Sequence, residues 1–217
     1  MNKHKMLWSL LPMLISTAYA IEKAPSVSLS YLAQKADLVA VAQVRDTDYV
    51  FTRSFPSEGS AFLKVLITYK SKKSNEEIIE VYEKGLHPNE CYFEDPGVLH
   101  EGRRYLVFFR VNPQDPENYL GLAEGCALEI LVTENNRYAL KYPPDGIGLS
   151  DTLDKLAVEY EFRDHNALVP DESLSPAKRD DLLTRGLVIP YQGKFKYTHG
   201  IDLTIVRKLM GSKALED

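Results

Sequence analysis

The chain reads Arg103-Arg104-Tyr105-Leu106-Val107-Phe108-Phe109-Arg110-Val111 at its most strand-like point. Aromatic and β-branched residues dominate this stretch, and both classes are enriched in β-strands. Gly102 precedes the run and Asn112 follows it, so turn-forming residues bound it on both sides. We therefore predict a strand over residues 103–111 and build the fold outward from it.

Further strand patterns lie on both sides of this run. Residues 38–44 are almost continuously apolar, which is typical of a buried strand. Residues 61–69 alternate, and one parity is wholly apolar, so that face should point inward. Shorter patterns cover residues 78–82, 119–123, 128–132 and 137–142, whereas turn-forming residues predict loops over 53–59, 85–102 and 112–118. About six strands joined by short loops favour a small barrel or a packed pair of sheets.

Helical patterns flank the strand-rich block, one before it and three after it: residues 28–36, 152–162, 175–186 and 202–210. Ser28 or Ser30 can cap the first helix, and Ser175 with Pro176 can start the third. Residues 194–197 form a short strand-like piece. We therefore expect a mainly β, α+β fold. A barrel domain would cover residues 21–142, and a mostly helical extension over residues 143–217 would pack on it.

The first twenty residues predict a secretory signal peptide. Lys3 and Lys5 precede a mostly apolar run over residues 6–15, and Ala18-Tyr19-Ala20 has the small residues that a signal peptidase requires. The run is shorter than the roughly 20 residues that cross a bilayer, so a membrane anchor is the less favoured alternative. We expect residues 1–20 to be removed by bacterial Sec-type export. The mature chain would be a soluble periplasmic or secreted protein without a membrane span.

Charge and cysteine content narrow the choice of partners and compartment. The chain has 26 basic and 31 acidic residues, a formal net charge of −5. Such a surface is poorly suited to phosphate backbones, so we predict no nucleic-acid partner. In an exported protein the two cysteines, Cys91 and Cys126, indicate a disulfide, with free thiols or metal ligands as alternatives. A crosslink over this loop would stabilise the fold by roughly 4 kcal/mol.

No motif for catalysis stands out in the sequence. Serine residues are present, but none lies in a Gly-x-Ser-x-Gly nucleophile elbow. His87, Cys91 and His100 share one loop, although their spacing is loose for a tetrahedral zinc site. We therefore predict no catalytic residue, no metal and no cofactor. The alternative is a metal-dependent or thiol-dependent enzyme that uses this loop.

Three aromatic residues are the candidate binding residues. Tyr92 and Phe93 follow one cysteine, and Tyr119 precedes the other, so all three should lie near the crosslinked end of the barrel. Aromatic side chains at such a position can anchor a protein, peptide or glycan partner. The alternative is that Tyr92 and Phe93 cover the disulfide as ordinary packing.

The order of these patterns resembles a known family. The pieces that carry the resemblance are Ala36-Asp37-Leu38-Val39, Phe62-Leu63-Lys64-Val65-Leu66, residues 78–91, residues 102–109 and residues 119–126. They resemble the netrin-like modules, which include the N-terminal domain of the tissue inhibitors of metalloproteinases. The resemblance covers residues 28–142 and implies an OB-like barrel of five or six strands. Those inhibitors chelate the protease zinc through an N-terminal cysteine, which the expected mature N-terminus, residues 21–25, lacks, so that mechanism is not expected here.

These observations favour an exported, non-enzymatic binding module of unknown ligand. The alternatives are the enzyme described above and a structural subunit of a cell-envelope assembly.

Overall fold

A computed structural model of the chain describes residues 26–73, 76–85, 90–98, 100–211 and 215, so the predicted signal peptide lies outside the described residues. The helices and strands in the described part are α1 (Leu29–Lys35), β1 (Leu38–Thr52), β2 (Phe55–Ser71), β3 (Ile78–Lys84), β4 (Arg104–Val111), β5 (Tyr119–Gly121), β6 (Ala127–Val132), β7 (Tyr138–Lys141), β8 (Val158–Glu159), β9 (Leu168–Pro170), α2 (Pro176–Thr184), β10 (Val188–Tyr191), β11 (Lys194–Tyr197), β12 (His199–Asp202) and α3 (Leu203–Met210). The predicted mainly β, α+β class is confirmed.

Strands β1 to β5 close into a five-stranded barrel. β2 lies between β1 and β3 in antiparallel pairs, and β3 is parallel to β5. β5 pairs antiparallel with β4, and β4 returns to β1 through residues 38–43, which closes the barrel. The other edge of β4 also pairs with β6, from which the sheet continues through β7 and β12 to β8.

Residues 38–44 of β1 and 106–109 of β4 are buried on both faces, and they separate two hydrophobic cores. The side chains that point into the barrel include Leu38, Ala40, Ala42, Val44, Val107 and Phe109. The alternating side chains face a second core between the barrel and the helices: Val39, Val41, Leu106 and Phe108. Successive residues of a strand point to opposite faces, so burial on both faces accounts for the uninterrupted apolar runs in these two strands.

The β1–β2 pair extends beyond the barrel as a hairpin. Arg53 and Ser54 form its turn, with φ values of 52° and 73°. The predicted loop over residues 53–59 is therefore wrong beyond the turn, because those residues pair with β1. Gly59 lies within β2 and allows it to approach β1 closely, since a Cβ there would lie 2.1 Å from the Asp48 carbonyl oxygen.

The predicted helices at residues 28–36, 175–186 and 202–210 are confirmed as α1, α2 and α3. Each begins at a side-chain cap: Ser28, Ser175 and Asp202 accept hydrogen bonds from backbone N–H groups in the first turn. α1 and α3 pack together on the second core, where Leu32 and Val206 are fully buried.

The helix predicted over residues 152–162 is wrong, and the C-terminal extension contains more strand than expected. One turn at Leu153 gives way to an extended segment that contains β8. The Tyr160 N–H donates to the Thr198 carbonyl at 2.7 Å, and the Glu134 N–H donates to the Glu161 carbonyl at 2.8 Å. The backbone of this segment therefore forms its hydrogen bonds with the edges of neighbouring strands. This tertiary pairing overrides the helical spacing of the apolar residues. A small sheet of β10, β11 and β9 completes the described extension.

Gly102 provides a test of the barrel closure. A Cβ at this position would lie 1.8 Å from the Val44 carbonyl oxygen, next to the bond from the Val44 N–H to the Arg103 carbonyl. We expect Gly102→Ala to lower the free energy of unfolding by about 2–4 kcal/mol, because backbone must shift. The matched control is Gly148→Ala, whose Cβ would meet only ordinary contact at 4.0 Å. Urea denaturation of both variants measures the difference, and equal stability would contradict this account of the closure.

Candidate functional site

The predicted disulfide is present between Cys91 and Cys126, with an S–S distance of 2.12 Å and both residues buried. It joins the irregular segment after β3 to the start of β6. Since the sequence has two cysteines and both are bonded, the thiol form of the enzyme hypothesis has no thiolate available in this structure.

The three predicted binding aromatics differ in their surroundings. Tyr119 is 1% exposed in the barrel core, below the ammonium group of Lys73 at 4.3 Å from the ring centroid. Phe93 is 6% exposed and packs edge-on against Tyr105, with ring centroids 5.2 Å apart. Tyr92 alone of the three is partly exposed. Phe93 and Tyr119 therefore offer almost no surface to a ligand in this conformation.

Tyr92 and Phe93 support the base of the β1–β2 hairpin. The Tyr92 ring packs edge-on against Tyr49 of β1 at a centroid distance of 5.2 Å. The backbone N–H of Phe93 donates to the Tyr49 hydroxyl at 3.0 Å, and the Tyr92 hydroxyl donates to the Gly85 carbonyl at 3.2 Å. Burial raises the pKa of Tyr49 to about 12, so its hydroxyl stays protonated at physiological pH. These contacts hold the hairpin against the crosslinked segment.

The tip of this hairpin carries exposed apolar side chains. We define the hairpin tip as residues 50–56, in which Val50, Phe51 and Phe55 are each 63% exposed. Arg53 at the turn forms no ion pair with another residue that the structure describes. The predicted loop over residues 53–59 does not anticipate this surface. The available signal was a phenylalanine on either side of three polar residues, Phe51-Thr52-Arg53-Ser54-Phe55.

A ladder of charges lines the junction between the barrel and the extension. Arg103 pairs with Glu94 and Glu129, Lys141 pairs with Glu129 and Asp145, and Lys178 pairs with Asp145 at 2.7 Å. Burial alone would raise the pKa of Asp145, but the ammonium groups of Lys141 and Lys178 outweigh it and hold that pKa below its ordinary value. Positive and negative groups alternate, so the ladder is neutral and internally paired.

A second, more deeply buried ion pair lies beside this ladder. Arg104 of β4 donates to Asp164 of the extension at 3.1 Å and to Glu101, while its Nε atom has no hydrogen-bond partner among the described residues. The Asp164 side chain is 1% exposed and also accepts from the Asn166 backbone N–H at 3.0 Å. Arg104 and Asp164 therefore connect the barrel to the extension through a desolvated contact.

The residues of the predicted metal or enzyme loop do not assemble a ready site. His87 lies outside the described residues, and the Cys91 sulfur is in the disulfide. His100 instead lies 6.0 Å from His165, between ring centroids. Within the described part of the chain, no group of three or more His, Cys, Asp or Glu side chains is arranged to hold a metal ion.

Comparison with known proteins adds no family. No protein-family model, curated protein or solved structure matches the chain. Among the described residues, no helix has the length and apolar character needed to cross a membrane.

The buried Arg104–Asp164 pair generates a testable stability effect. We expect Asp164→Ala to lower the free energy of unfolding by about 3–5 kcal/mol, because it leaves the Arg104 guanidinium buried beside an exposed partner only. Asp171→Ala is the control, since Asp171 pairs with Arg179 at an exposed site and should cost less than about 1 kcal/mol. Chemical denaturation would measure both variants. A loss below 1 kcal/mol for Asp164→Ala would show that the pair does not hold the extension.

Proposed function

We propose that this protein is an exported binding module that recognises a protein or peptide partner through the hairpin tip. The observation that carries the proposal is the exposure of Val50, Phe51 and Phe55 on the two strand ends that flank one turn. Apolar groups that are exposed and clustered at one turn in this way mark interaction sites more often than apolar residues scattered singly over the surface.

The composition of the hairpin tip fits a protein-binding surface. Aromatic residues and arginine are enriched in the cores of protein interfaces. Here Arg53 lies between Phe51 and Phe55 without an ion pair among the described residues, so it is available for a carboxylate on a partner. The partner that fits is an apolar pocket or groove with an acidic group at its edge.

The support of the hairpin favours binding with little loss of entropy. Tyr49 is held by the Tyr92 ring and by the Phe93 N–H, and Glu58 of β2 accepts from Tyr82 at 2.6 Å and pairs with Lys84 of β3. A surface that is already ordered loses less conformational entropy when a partner binds. In this proposal Tyr92 and Phe93 do not contact the partner. They hold Tyr49 in place, and Tyr49 supports the hairpin.

The surroundings of the hairpin argue against a nucleic-acid ligand. Asp46 and Asp48 precede the tip and are exposed, and the formal net charge of the chain is −5. These charges repel a phosphate backbone.

The disulfide supports the exported part of the proposal, because such bonds persist in oxidising compartments. The closed order β1-β2-β3-β5-β4 supports an OB-like barrel, and with it the netrin-like relationship. Export of the chain and its relationship to the netrin-like modules are both part of this proposal.

Site-specific photocrosslinking tests the hairpin tip. We expect a photoreactive phenylalanine analogue at position 51 or 55 to give one discrete crosslinked protein in cells that export the chain. The same analogue at position 189 is the matched control, since Ile189 is also an exposed apolar residue, 47% exposed, on a different strand. Products at position 189 that equal those at 51 and 55 would contradict a specific tip site.

Variants give a second readout of the same proposal. Phe51→Ser combined with Phe55→Ser should abolish formation of the complex identified by crosslinking, because the apolar anchors are removed. The free energy of unfolding should change by less than about 1 kcal/mol, since both residues are exposed. Retained binding by the folded double variant would overturn the proposal.

A further inference from the structure

The outer part of strand β1 has a strand neighbour on one side only. Its pairing with β4 ends at Gln43, and the last backbone bond on that side runs from the Val44 N–H to the Arg103 carbonyl at 3.0 Å. Its pairing with β2 continues to Thr52. Among the described residues, none outside β2 forms a backbone–backbone hydrogen bond with residues 45–52. We name the unpaired side of this stretch the free edge of β1.

Two contacts show which main-chain groups point to the free edge. The Val50 carbonyl accepts from a serine hydroxyl of β2 at 3.1 Å, so Val50 faces β2. The Thr47 N–H donates instead to the carboxylate of its neighbour Asp46 at 2.9 Å, so it does not bond to β2. Main-chain groups of successive residues in a strand point to alternate sides. Thr47, Tyr49 and Phe51 therefore direct their N–H and C=O groups to the free edge.

The side chains along the free edge carry negative charge that has no partner in the described chain. Asp46, Asp48 and Val50 follow each other at intervals of two residues, so they lie on one face of the strand, and all three are exposed. Arg45 lies beside them in the sequence, but neither carboxylate forms an ion pair with it or with any other residue that the structure describes. Positive side chains opposite Asp46 and Asp48 would complement this face.

The same charges disfavour a second copy of this chain at the free edge. Antiparallel pairing of two such edges would bring the Asp46 and Asp48 carboxylates of both chains close together, and like charges across a strand pair are destabilising. A different segment fits better, with lysine or arginine on the face of Asp46 and Asp48 and apolar residues on the other face. That second face adjoins the partly buried side chains of Thr47 and Tyr49.

We propose that the partner binds by strand addition: an extended segment with cationic side chains at alternate positions pairs with the main chain of Thr47, Tyr49 and Phe51. This inference rests on the proposed function, because it states how a partner that recognises the hairpin tip lies along the hairpin. In strand addition the main-chain hydrogen bonds give affinity and the alternate side chains give specificity. The hairpin tip lies at the end of the free edge, so the acidic group that faces Arg53 can belong to the same partner.

An acetylated and amidated octapeptide that repeats Lys-Val tests the free edge at low ionic strength, since it carries alternating cations and can pair in either direction. In ¹H–¹⁵N spectra of the whole exported chain, we expect the amides of Thr47, Tyr49 and Phe51 to exchange with solvent about tenfold or more slowly when the peptide is bound, because they gain hydrogen bonds. The amides of Asp48 and Val50 already face β2 and should change little. Absence of binding, or binding that leaves the three edge amides unprotected, overturns the proposal.

Three further peptides separate main-chain pairing from charge attraction. A peptide that repeats Glu-Val should not bind, because its carboxylates would face those of the edge. In the other two peptides, the amide nitrogens of either the valines or the lysines of the Lys-Val repeat are methylated, which leaves the charges unchanged. A paired strand directs alternate amides at its neighbour, so only one of these two should lose affinity, by about tenfold or more. Equal affinities of the two methylated peptides, or binding of the Glu-Val peptide, would contradict strand addition.

Variants of the chain test the same edge. Thr47→Pro should abolish binding of the Lys-Val peptide, because proline has no N–H and is tolerated on a strand edge. Asp46→Asn combined with Asp48→Asn should weaken the peptide about fivefold or more, since the opposing charges are lost. The matched control is Glu172→Gln, which removes an exposed carboxylate without an ion pair in the described chain and should leave the affinity within about twofold.

These outcomes can be told apart from a failure of the hairpin tip as a binding site. Binding of the Lys-Val peptide that survives Thr47→Pro overturns strand addition and leaves the tip proposal standing. The tip proposal fails by a different result, namely a crosslinked complex that survives the Phe51→Ser and Phe55→Ser double variant. The exchange measurement on the unaltered chain decides the case in which Thr47→Pro does not fold.

Discussion

The fold depends on the burial of the first half of β1, residues 38–44, and of β4 on both of their faces. One face of the pair fills the closed barrel with residues that include Ala40, Ala42 and Phe109, and the other face supports α1 and α3. Two strands with apolar side chains on both sides cannot rest against solvent on either, so each face requires its own cover. The barrel and the extension are therefore not independent additions, because they cover opposite faces of the same two strands.

The polar junction follows from the same alternation. Arg103 and Arg104 are consecutive, so their side chains point to opposite faces. Arg103 reaches the Glu94 and Glu129 carboxylates at the edge of the barrel, whereas Arg104 is directed to the buried Asp164 of the extension. A buried ion pair returns little net stability, but a wrongly docked extension would leave one of these charges desolvated and alone. We infer that this pair selects one docked position of the extension.

The parts of the structure that were predicted correctly carry a local signal. The strand over residues 103–111 has its apolar run, the helices have their serine and aspartate caps, and the disulfide follows from two cysteines in a chain expected to be exported. The failures depend on pairing at long range. Residues 152–162 were predicted as a helix, but their backbone pairs instead with the edges of neighbouring strands. The hairpin turn has Arg53 and Ser54 at positive φ, where glycine or asparagine would have been the sequence signal. The closeness of His100 and His165 could not be predicted either, because it exists only once the extension has docked.

The crosslinked segment over residues 90–98 lies between the hairpin and the junction of the barrel with the extension, and it contacts both. Tyr92 and Phe93 hold the hairpin, and Glu94, directly after them, pairs with Arg103 at the junction. Coupling between two sites requires an element with two arrangements that both sites favour differently. The disulfide at Cys91 and the packing of Phe93 against Tyr105 and Phe109 fix this segment at its start. A structural change at the junction would have to overcome that anchored packing before it displaced Tyr49 of the hairpin. The hairpin is therefore expected to bind its partner independently of changes at the junction.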